Sequence, residues 1–292
     1  MQLMDGKLVS EKIKEELKKE VASLIDNGKD PHLAAILVGD DGPSQTYVRN
    51  KEKACAEVGI ISSVYRQSAS MTENELLAMI DFINHDPEVH GLIVQLPLPS
   101  HINPDNIIKH IDPEKDVDGF HPVNIGRMVQ GMPAYLPATP FGIMKMLEYY
   151  KVDTEGKSCV ILGRSNIVGT PMSILMSRKA YPGNSTVTLC HSKTIDLEKF
   201  TREADILISA IGKAHFVTAG MVKEGAVVID VGIHRIPAED TKSGYRLIGD
   251  VKFDEVSRKA SLITPVPGGV GLMTIVSLLS NTVRAAKKEV FG

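Results

Sequence analysis

The stretch SCVILGRSNIVG, residues 158–169, joins an apolar run to a helical pattern through a turn with a glycine at each end. The run up to Gly163 predicts a buried strand, and a helix is predicted from about Gly169 to Lys179. In such a turn the backbone N–H groups and the helix N-terminus face the same point in space. The stretch therefore predicts a strand–turn–helix unit suited to an anionic group.

Strands and helices alternate on both sides of this unit. Further buried strands are predicted downstream at TVTLC (186–190), ADILISAIG (204–212) and AVVIDVG (226–232), and upstream at LAAILVG (33–39), GIISSVYRQ (59–67) and GLIVQLPLP (91–99). Repeated β–α alternation predicts parallel sheets with helical crossovers. Residues 119–140 lose the periodicity and accumulate prolines, so we predict an irregular connection there.

We therefore predict an α/β protein with two domains and a cleft between them. Its 292 residues exceed what one compact domain usually holds. The first domain is predicted to contain residues 1–139 plus 273–292 around a parallel sheet. Residues 140–272 are predicted to form a Rossmann-like domain. The closing helix, from Met273 to about Lys288, is predicted to return to the first domain.

Composition argues against several classes of partner. There are 33 Lys and Arg residues against 36 Asp and Glu, so the chain has no broad basic field for nucleic acid. The uncharged stretch 261–283 is interrupted by prolines and glycines, which opposes a membrane-spanning helix. Three widely spaced cysteines predict neither a disulfide framework nor a zinc cluster, and the charged N-terminus predicts no secretory leader. We expect a cytoplasmic protein.

The turn of residues 163–169 differs from the dinucleotide fingerprint G-x-G-x-x-G, because Ser165 stands at the second glycine. A plain β–α turn therefore stays open as an alternative. An NAD site usually places an acid at the end of the next strand, but here TVTLC runs into His191 and Ser192. With Arg164 in the first turn, these residues favour the 2′-phosphate of NADP.

Polar residues in the first domain form a second candidate site. Tyr47 and Lys51 are four residues apart on a predicted helix and therefore share a face. Lys51 could equally be a solvated residue like Arg49 and Lys53. Gln95 favours the functional interpretation, because it lies at the carboxyl end of an apolar strand, where ligands bind in open α/β sheets.

Two further segments have unusual chemistry. Asp116 and Asp118 lie in KDVDG, where a carboxylate beside a glycine often forms a turn, an interpretation that is strong for Asp116. The uncharged loop TPVPGGVG, residues 264–271, is either a helix-entry turn or backbone that lies against a flat ligand. His85 and His90 have no metal-ligand spacing, and no metal is predicted.

Taken together, these segments resemble the bifunctional methylenetetrahydrofolate dehydrogenase/methenyltetrahydrofolate cyclohydrolase family over essentially the whole chain. The resemblance rests on residues 44–51, 94–99, 115–119, 163–169, 190–194 and 264–271. It implies NADP-dependent oxidation of 5,10-methylenetetrahydrofolate, followed by hydrolysis of 5,10-methenyltetrahydrofolate to 10-formyltetrahydrofolate. These reactions belong to one-carbon metabolism and purine biosynthesis, and the resemblance also implies a homodimer.

The resemblance assigns roles to individual residues. Lys51 is central to the cyclohydrolase step with support from Tyr47 and Gln95, and Asp118 holds the pterin ring. The implied substrate contacts are Tyr47, Lys51, Val94, Gln95, Leu96, Asp118, Pro267, Gly268, Gly269, Val270 and Gly271. The implied NADP contacts are Gly163, Arg164, Ser165, Ser192 and Ile233.

The chemistry fits these residues. Hydride transfer needs no protein base, because the folate nitrogens stabilise the cation, so the protein mainly positions the reactants. Hydrolysis needs a group that moves protons, and Lys51 is the best candidate. Two alternatives stay open: a two-domain dehydrogenase of shikimate or amino-acid type with Lys51 as its acid–base group, and a catalytically silent NADP-binding regulator.

Overall fold

The computed structural model describes residues 1–238, 241 and 244–292. They divide into two compact units, each made of two chain segments. The first unit contains Glu11–Ala138 and Ile275–Gly292, and the second unit contains Met1–Ser10 and Thr139–Thr274. No helix in the described part of the chain combines the length and the apolar character needed to cross a bilayer.

The described elements follow each other in a mostly alternating order. They are β1 (Gln2–Leu3), α1 (Gly6–Asp26), β2 (His32–Val38), α2 (Gly42–Val58), β3 (Ile61–Gln67), α3 (Glu73–Asn84), β4 (Gly91–Val94), α4 (Pro104–His110), α5 (Pro122–Val129), α6 (Ala138–Tyr149), β5 (Ser158–Leu162), α7 (Gly169–Ser177), β6 (Thr186–Cys190), α8 (Leu197–Thr201), β7 (Ile206–Ser209), a 3-10 turn (Ala219–Met221), β8 (Val227–Asp230), β9 (His234–Pro237), β10 (Tyr245–Ile248), α9 (Phe253–Val256), β11 (Leu262–Ile263) and α10 (Val270–Ala286).

The first unit is built on a parallel sheet in the order β3-β2-β4. The central strand β2 alternates its side chains between two apolar clusters. Leu33 packs in the cluster formed with α1, α2 and α10, and Ala34 packs in the cluster formed with α3 and α4. Ile36 pairs with Val94 at the carboxyl end of β4, so Gln95 follows directly where the pairing ends.

The second unit contains a parallel sheet in the order β1-β11-β8-β7-β5-β6. After β5 the chain adds β6 on one side and β7 on the other, which makes the carboxyl end of β5 a topological switch point. β9 and β10 form an antiparallel hairpin. The cysteines are free and buried.

The structure corrects three expectations. Residues 1–10 belong to the second unit, because β1 pairs in parallel with β11 through Gln2↔Leu262. Residues 119–140 are not irregular throughout: α5 lies there, with Pro122 in its first turn, where a missing N–H costs nothing. The closing helix begins at Val270 rather than Met273, so Val270 and Gly271 are helical.

Candidate active site

Lys51 lies on the buried face of α2. Its residue exposure is only 8%, and it shares this face with Val48 and Cys55, whereas the Lys53 side chain is 79% exposed. A buried ammonium is costly unless it is hydrogen-bonded. The burial separates Lys51 from the solvated lysine and arginine beside it and supports the functional interpretation.

Gln95 supplies the partner of the Lys51 ammonium. Lys51 Nζ donates to Gln95 Oε1 at 3.2 Å, and Gln95 Nε2 donates to the carbonyl of Leu96 at 2.6 Å. The Gln95 backbone N–H extends the sheet by donating to Ile36 O at 2.9 Å. The amide is therefore fixed with its oxygen toward Lys51, and among the described residues the other N–H groups of this ammonium have no acceptor.

Asp118 lies close enough to Lys51 for their charges to interact. Burial raises the pKa of Asp118 above its ordinary value, and the positive charge of Lys51 partly offsets this increase. The Asp118 carbonyl accepts from Ala138 N at 3.3 Å. The next residue, Gly119, has φ 74°, and a Cβ there would collide with the backbone of Leu136. The turn therefore fixes Asp118 through close backbone contacts.

Asp116 forms the turn rather than the reactive surface. Its buried carboxylate accepts from His121 N at 2.8 Å, Phe120 N at 3.2 Å and Asn124 Nδ2 at 2.9 Å. Burial raises the pKa of Asp116 to about 7, although these hydrogen bonds favour the charged form. The turn-forming interpretation of Asp116 agrees with these contacts.

A residue that the sequence analysis missed supports the same turn from α10. Asn281 is fully buried, and its Nδ2 donates to Val117 O at 2.9 Å and to Leu136 O at 3.0 Å. Val117 directly precedes Asp118, and the Leu136 backbone lies against Gly119, which directly follows it. The available signal was an amide within the uncharged stretch Val276–Val283, since a buried amide requires partners.

The remaining predicted folate contacts of the first unit lie near Lys51 and Gln95 in sequence and structure. Tyr47 is one helical turn before Lys51 and is 40% exposed. Val94 is buried at the end of β4, and Leu96 is half-buried. The structure thus brings the four predicted catalytic residues into one unit.

In the second unit, the turn between β5 and α7 requires both of its glycines. Gly163 has φ 108°, and a Cβ there would collide with the carbonyl of Ala210 after β7. A Cβ at Gly169 would collide with Gly163 O. Ser165 Oγ accepts from Val168 N at 3.2 Å. This tight backbone cradle at the switch point fits a phosphate-bearing dinucleotide.

Strand register relates Arg164 to Ser192. Leu162 pairs with Cys190, and each of the two exposed residues lies two positions beyond this pair. Gly163 N also donates to Cys190 O at 2.9 Å, which extends the pairing. An exposed guanidinium and hydroxyl therefore lie at the same edge of the sheet, with no acid in the sequence 191–194.

Residues predicted to contact substrate and cofactor meet within the second unit. Ile233 is 43% exposed, and a Cβ on Gly271 would lie 3.1 Å from Ile233 Cδ1. The loop before α10 is held by the start of α1, since Gly6 N donates to Gly268 O at 2.8 Å and a Cβ at Gly6 would collide with Gly269 O. Within residues 1–238, 241 and 244–292, no group of three or more His, Cys, Asp or Glu side chains is arranged to hold a metal.

These features define a dehydrogenase-type α/β protein with two units. Comparisons with known proteins identify the family. Residues 4–118 match the family profile for the catalytic domain of tetrahydrofolate dehydrogenase/cyclohydrolase, and residues 137–290 match its NAD(P)-binding domain. The bifunctional protein FolD of Bacteroides fragilis is 59% identical over 292 residues, which cover 100% of both chains.

Solved structures of similar proteins support the same family assignment. The bifunctional FolD of Campylobacter jejuni is 52% identical and superimposes with a TM-score of 0.93, covering 99% of each chain. The enzyme of Trypanosoma brucei, solved with NADP and an inhibitor, is 39% identical with a TM-score of 0.92, covering 99% of this chain and 98% of that chain. The chain belongs to the tetrahydrofolate dehydrogenase/cyclohydrolase family, which confirms the predicted resemblance and the two-domain α/β fold.

Proposed function

We propose that the protein oxidises 5,10-methylenetetrahydrofolate with NADP and hydrolyses the resulting 5,10-methenyltetrahydrofolate to 10-formyltetrahydrofolate. The observation that carries this proposal is the buried Lys51 ammonium, hydrogen-bonded to Gln95 and electrostatically coupled to Asp118. Family membership over the full length of the chain supports both activities.

The residues of the second unit suit NADP, which accepts a hydride when it is bound. The backbone between Gly163 and Gly169 would hold the pyrophosphate, because a side chain at either glycine would fill the cradle. Arg164 and Ser192 would bind the 2′-phosphate, since both are exposed at the edge where β5 and β6 end. Ile233 would contribute apolar contact to the cofactor.

In the first unit, Lys51 would orient the attacking water and move a proton as the folate ring opens. An amine hydrogen-bonded to a fixed amide keeps a defined position, and its remaining N–H groups can face the water and the folate. Tyr47 lies on the same helix, where its partly exposed ring can contact the substrate. Asp118 would bind the amino group and ring nitrogen of the pterin.

The backbone of Pro267–Gly271 would contact the folate, and the buried Val94 with Leu96 would shape the site after β4. We assign folate binding and hydrolysis chiefly to the first unit and NADP binding to the second unit. The positions of Lys51 and Gly163 in separate units support this assignment.

The two activities can be tested separately in one assay. Purified protein is mixed with 5,10-methylenetetrahydrofolate and either NADP or NAD, and reduced cofactor and methenyl absorbance are followed independently. Lys51→Met is expected to lower the cyclohydrolase kcat by at least ~100-fold, the lower end of general acid–base contributions, and to leave NADP reduction measurable.

Lys53→Met is the matched control, because Lys53 lies on the same helix but its side chain is exposed. Its ion-pair contact with Glu57, at 4.0 Å, lies on the surface. It is expected to retain both activities. Equal retention of both activities by Lys51→Met would refute the role of Lys51.

We also propose that the protein is a cytoplasmic homodimer, as its family resemblance implies. Analytical ultracentrifugation of the purified protein is expected to give the mass of two chains. A sedimenting species with the 31.8 kDa of one chain at all concentrations would contradict the dimer.

A further inference from the structure

Two buried carboxylates lie beside the predicted cofactor residue Ile233. Asp230 ends β8, and Asp250 follows the β9–β10 hairpin; both are nearly or fully inaccessible to solvent. A buried carboxylate requires several donors to offset its lost hydration. The donors that surround these carboxylates show which parts of the chain they hold together.

Asp250 binds the loop that follows β7. Its carboxylate accepts from the backbone N–H groups of Ile211 at 2.8 Å, Gly212 at 3.1 Å and Lys213 at 3.0 Å. Ser209 Oγ, at the end of β7, donates to it at 3.3 Å. Consecutive amides that converge on one carboxylate fix the path of the loop, which begins at Ala210 against Gly163.

The same carboxylate also binds the segment that carries Ile233. His234 Nε2 lies 2.8 Å from Asp250 Oδ1, so the imidazole donates to the oxygen that also accepts from Lys213 N. A Cβ on Gly232 would collide with the Asp250 carboxylate, so this residue must be glycine for the contact to form. Of the two neighbours of Ile233, His234 is hydrogen-bonded to Asp250 and Gly232 lies against its carboxylate.

Asp230 holds the other side of this arrangement. Its carboxylate accepts from Gly232 N, Asp250 N and Val251 N, each at 2.9 Å. Its backbone N–H donates to Thr264 Oγ1 at 2.7 Å, at the start of the loop that leads to Gly271. Asp230 therefore fixes the backbone of Asp250 and links it to the loop beside Ile233.

We propose that Asp250 and His234 are positioning residues for the dinucleotide: their hydrogen bond couples the loop of residues 210–213 to Ile233. The inference rests on the proposed NADP site, because Ala210 lies against Gly163 and Ile233 lies against Gly271. Neither residue needs to touch the cofactor. They fix the loop of residues 210–213 and Ile233 relative to each other before the cofactor binds. This lowers the conformational entropy cost of binding.

The test compares three variants at neighbouring positions. His234→Leu removes the donor, and His234→Gln restores an N–H near the position of Nε2. Arg235→Leu is the matched control, because Arg235 is exposed on the same strand and stacks on Tyr245 instead.

The readout is the NADP dissociation constant from isothermal titration calorimetry, which requires no turnover. His234→Leu is expected to weaken NADP binding by about tenfold or more, the effect of losing one hydrogen bond to a charged group. His234→Gln is expected to recover most of the affinity, and Arg235→Leu to bind like the unaltered protein. Hydrolysis of 5,10-methenyltetrahydrofolate without NADP is expected to stay unchanged in all three.

The outcomes separate this inference from the function on which it rests. An unaltered NADP affinity in His234→Leu would overturn the inference alone, as would an equal loss of binding and hydrolysis, which would indicate general damage to the fold. Failure of the unaltered protein to bind NADP would refute the proposed cofactor and this inference together. Selective weakening with rescue by His234→Gln would support the positioning role.

Discussion

Asn281 offers a quantitative test of how the Asp118 turn is held. Replacing it with leucine keeps the number and branching of the side-chain heavy atoms but removes the amide donors to Val117 O and Leu136 O. Each buried carbonyl left without a donor costs about 1–3 kcal/mol, so the two together cost roughly 2–6 kcal/mol of unfolding free energy. Because Val117 directly precedes Asp118, the KM for folate should rise as well.

Urea denaturation followed by circular dichroism measures the first effect, and cyclohydrolase kinetics measure the second. Ser280→Ala is the matched control, because within the described part of the chain Ser280 donates to Val276 O of its own helix at 2.8 Å. This replacement should cost below about 1 kcal/mol. If Asn281→Leu unfolds at the same urea concentration as Ser280→Ala, the two carbonyls do not depend on Asn281 and the reasoning fails.

Three further predictions concern the cofactor turn and pH. Gly169→Ala forces a Cβ against Gly163 O and should cost about 1–3 kcal/mol or more of stability and weaken NADP binding; an unchanged melting temperature would contradict this close contact. Arg164→Ala should erode the preference for NADP over NAD in kcat/KM, and an unaltered ratio would remove Arg164 from phosphate recognition. Burial raises the pKa of Asp116 from 3.8 to about 7, so the folded state binds this proton more tightly. The unfolding free energy should therefore fall as pH rises from about 4 to 7, and Asp116→Asn should flatten that slope; equal slopes in both proteins would show that Asp116 does not titrate differently on folding.

The sequence predicts the longer elements well because their periodicity is local. Strand β2 and helix α3 stand out as an apolar run and an amphipathic pattern over 7 and 12 residues. The two-residue strands β1 and β11 contain no period, and their pairing joins residues about 260 positions apart. Helix α5 is not predicted because Pro122 is interpreted as a breaker, although it occupies the first turn, which tolerates proline.

In the candidate site, too, the features set by local spacing are predictable from the sequence, and the features set by tertiary contacts are not. The spacing of Tyr47 and Lys51 predicts a shared helix face, but only the packing of α2 distinguishes the buried Lys51 from the exposed Lys53. The contacts of Asp250 could not be predicted, because its donors at Ile211, in the loop after β7, and His234, at the start of β9, share no common motif. Long-range polar contacts of this kind depend on tertiary structure and leave no periodic trace in the sequence.

The discontinuous first unit has a consequence for synthesis on the ribosome. Its core includes Leu278, Leu279 and Val283 of α10, which pack with Leu33 and Ile93 from the front of the chain. Translation delivers the whole second unit before these last side chains emerge, so the part of the protein that is made first completes its core last. During that interval the apolar face formed by the early strands lacks its covering helix, and a nascent chain stalled before residue 275 would expose it to chaperones and proteases.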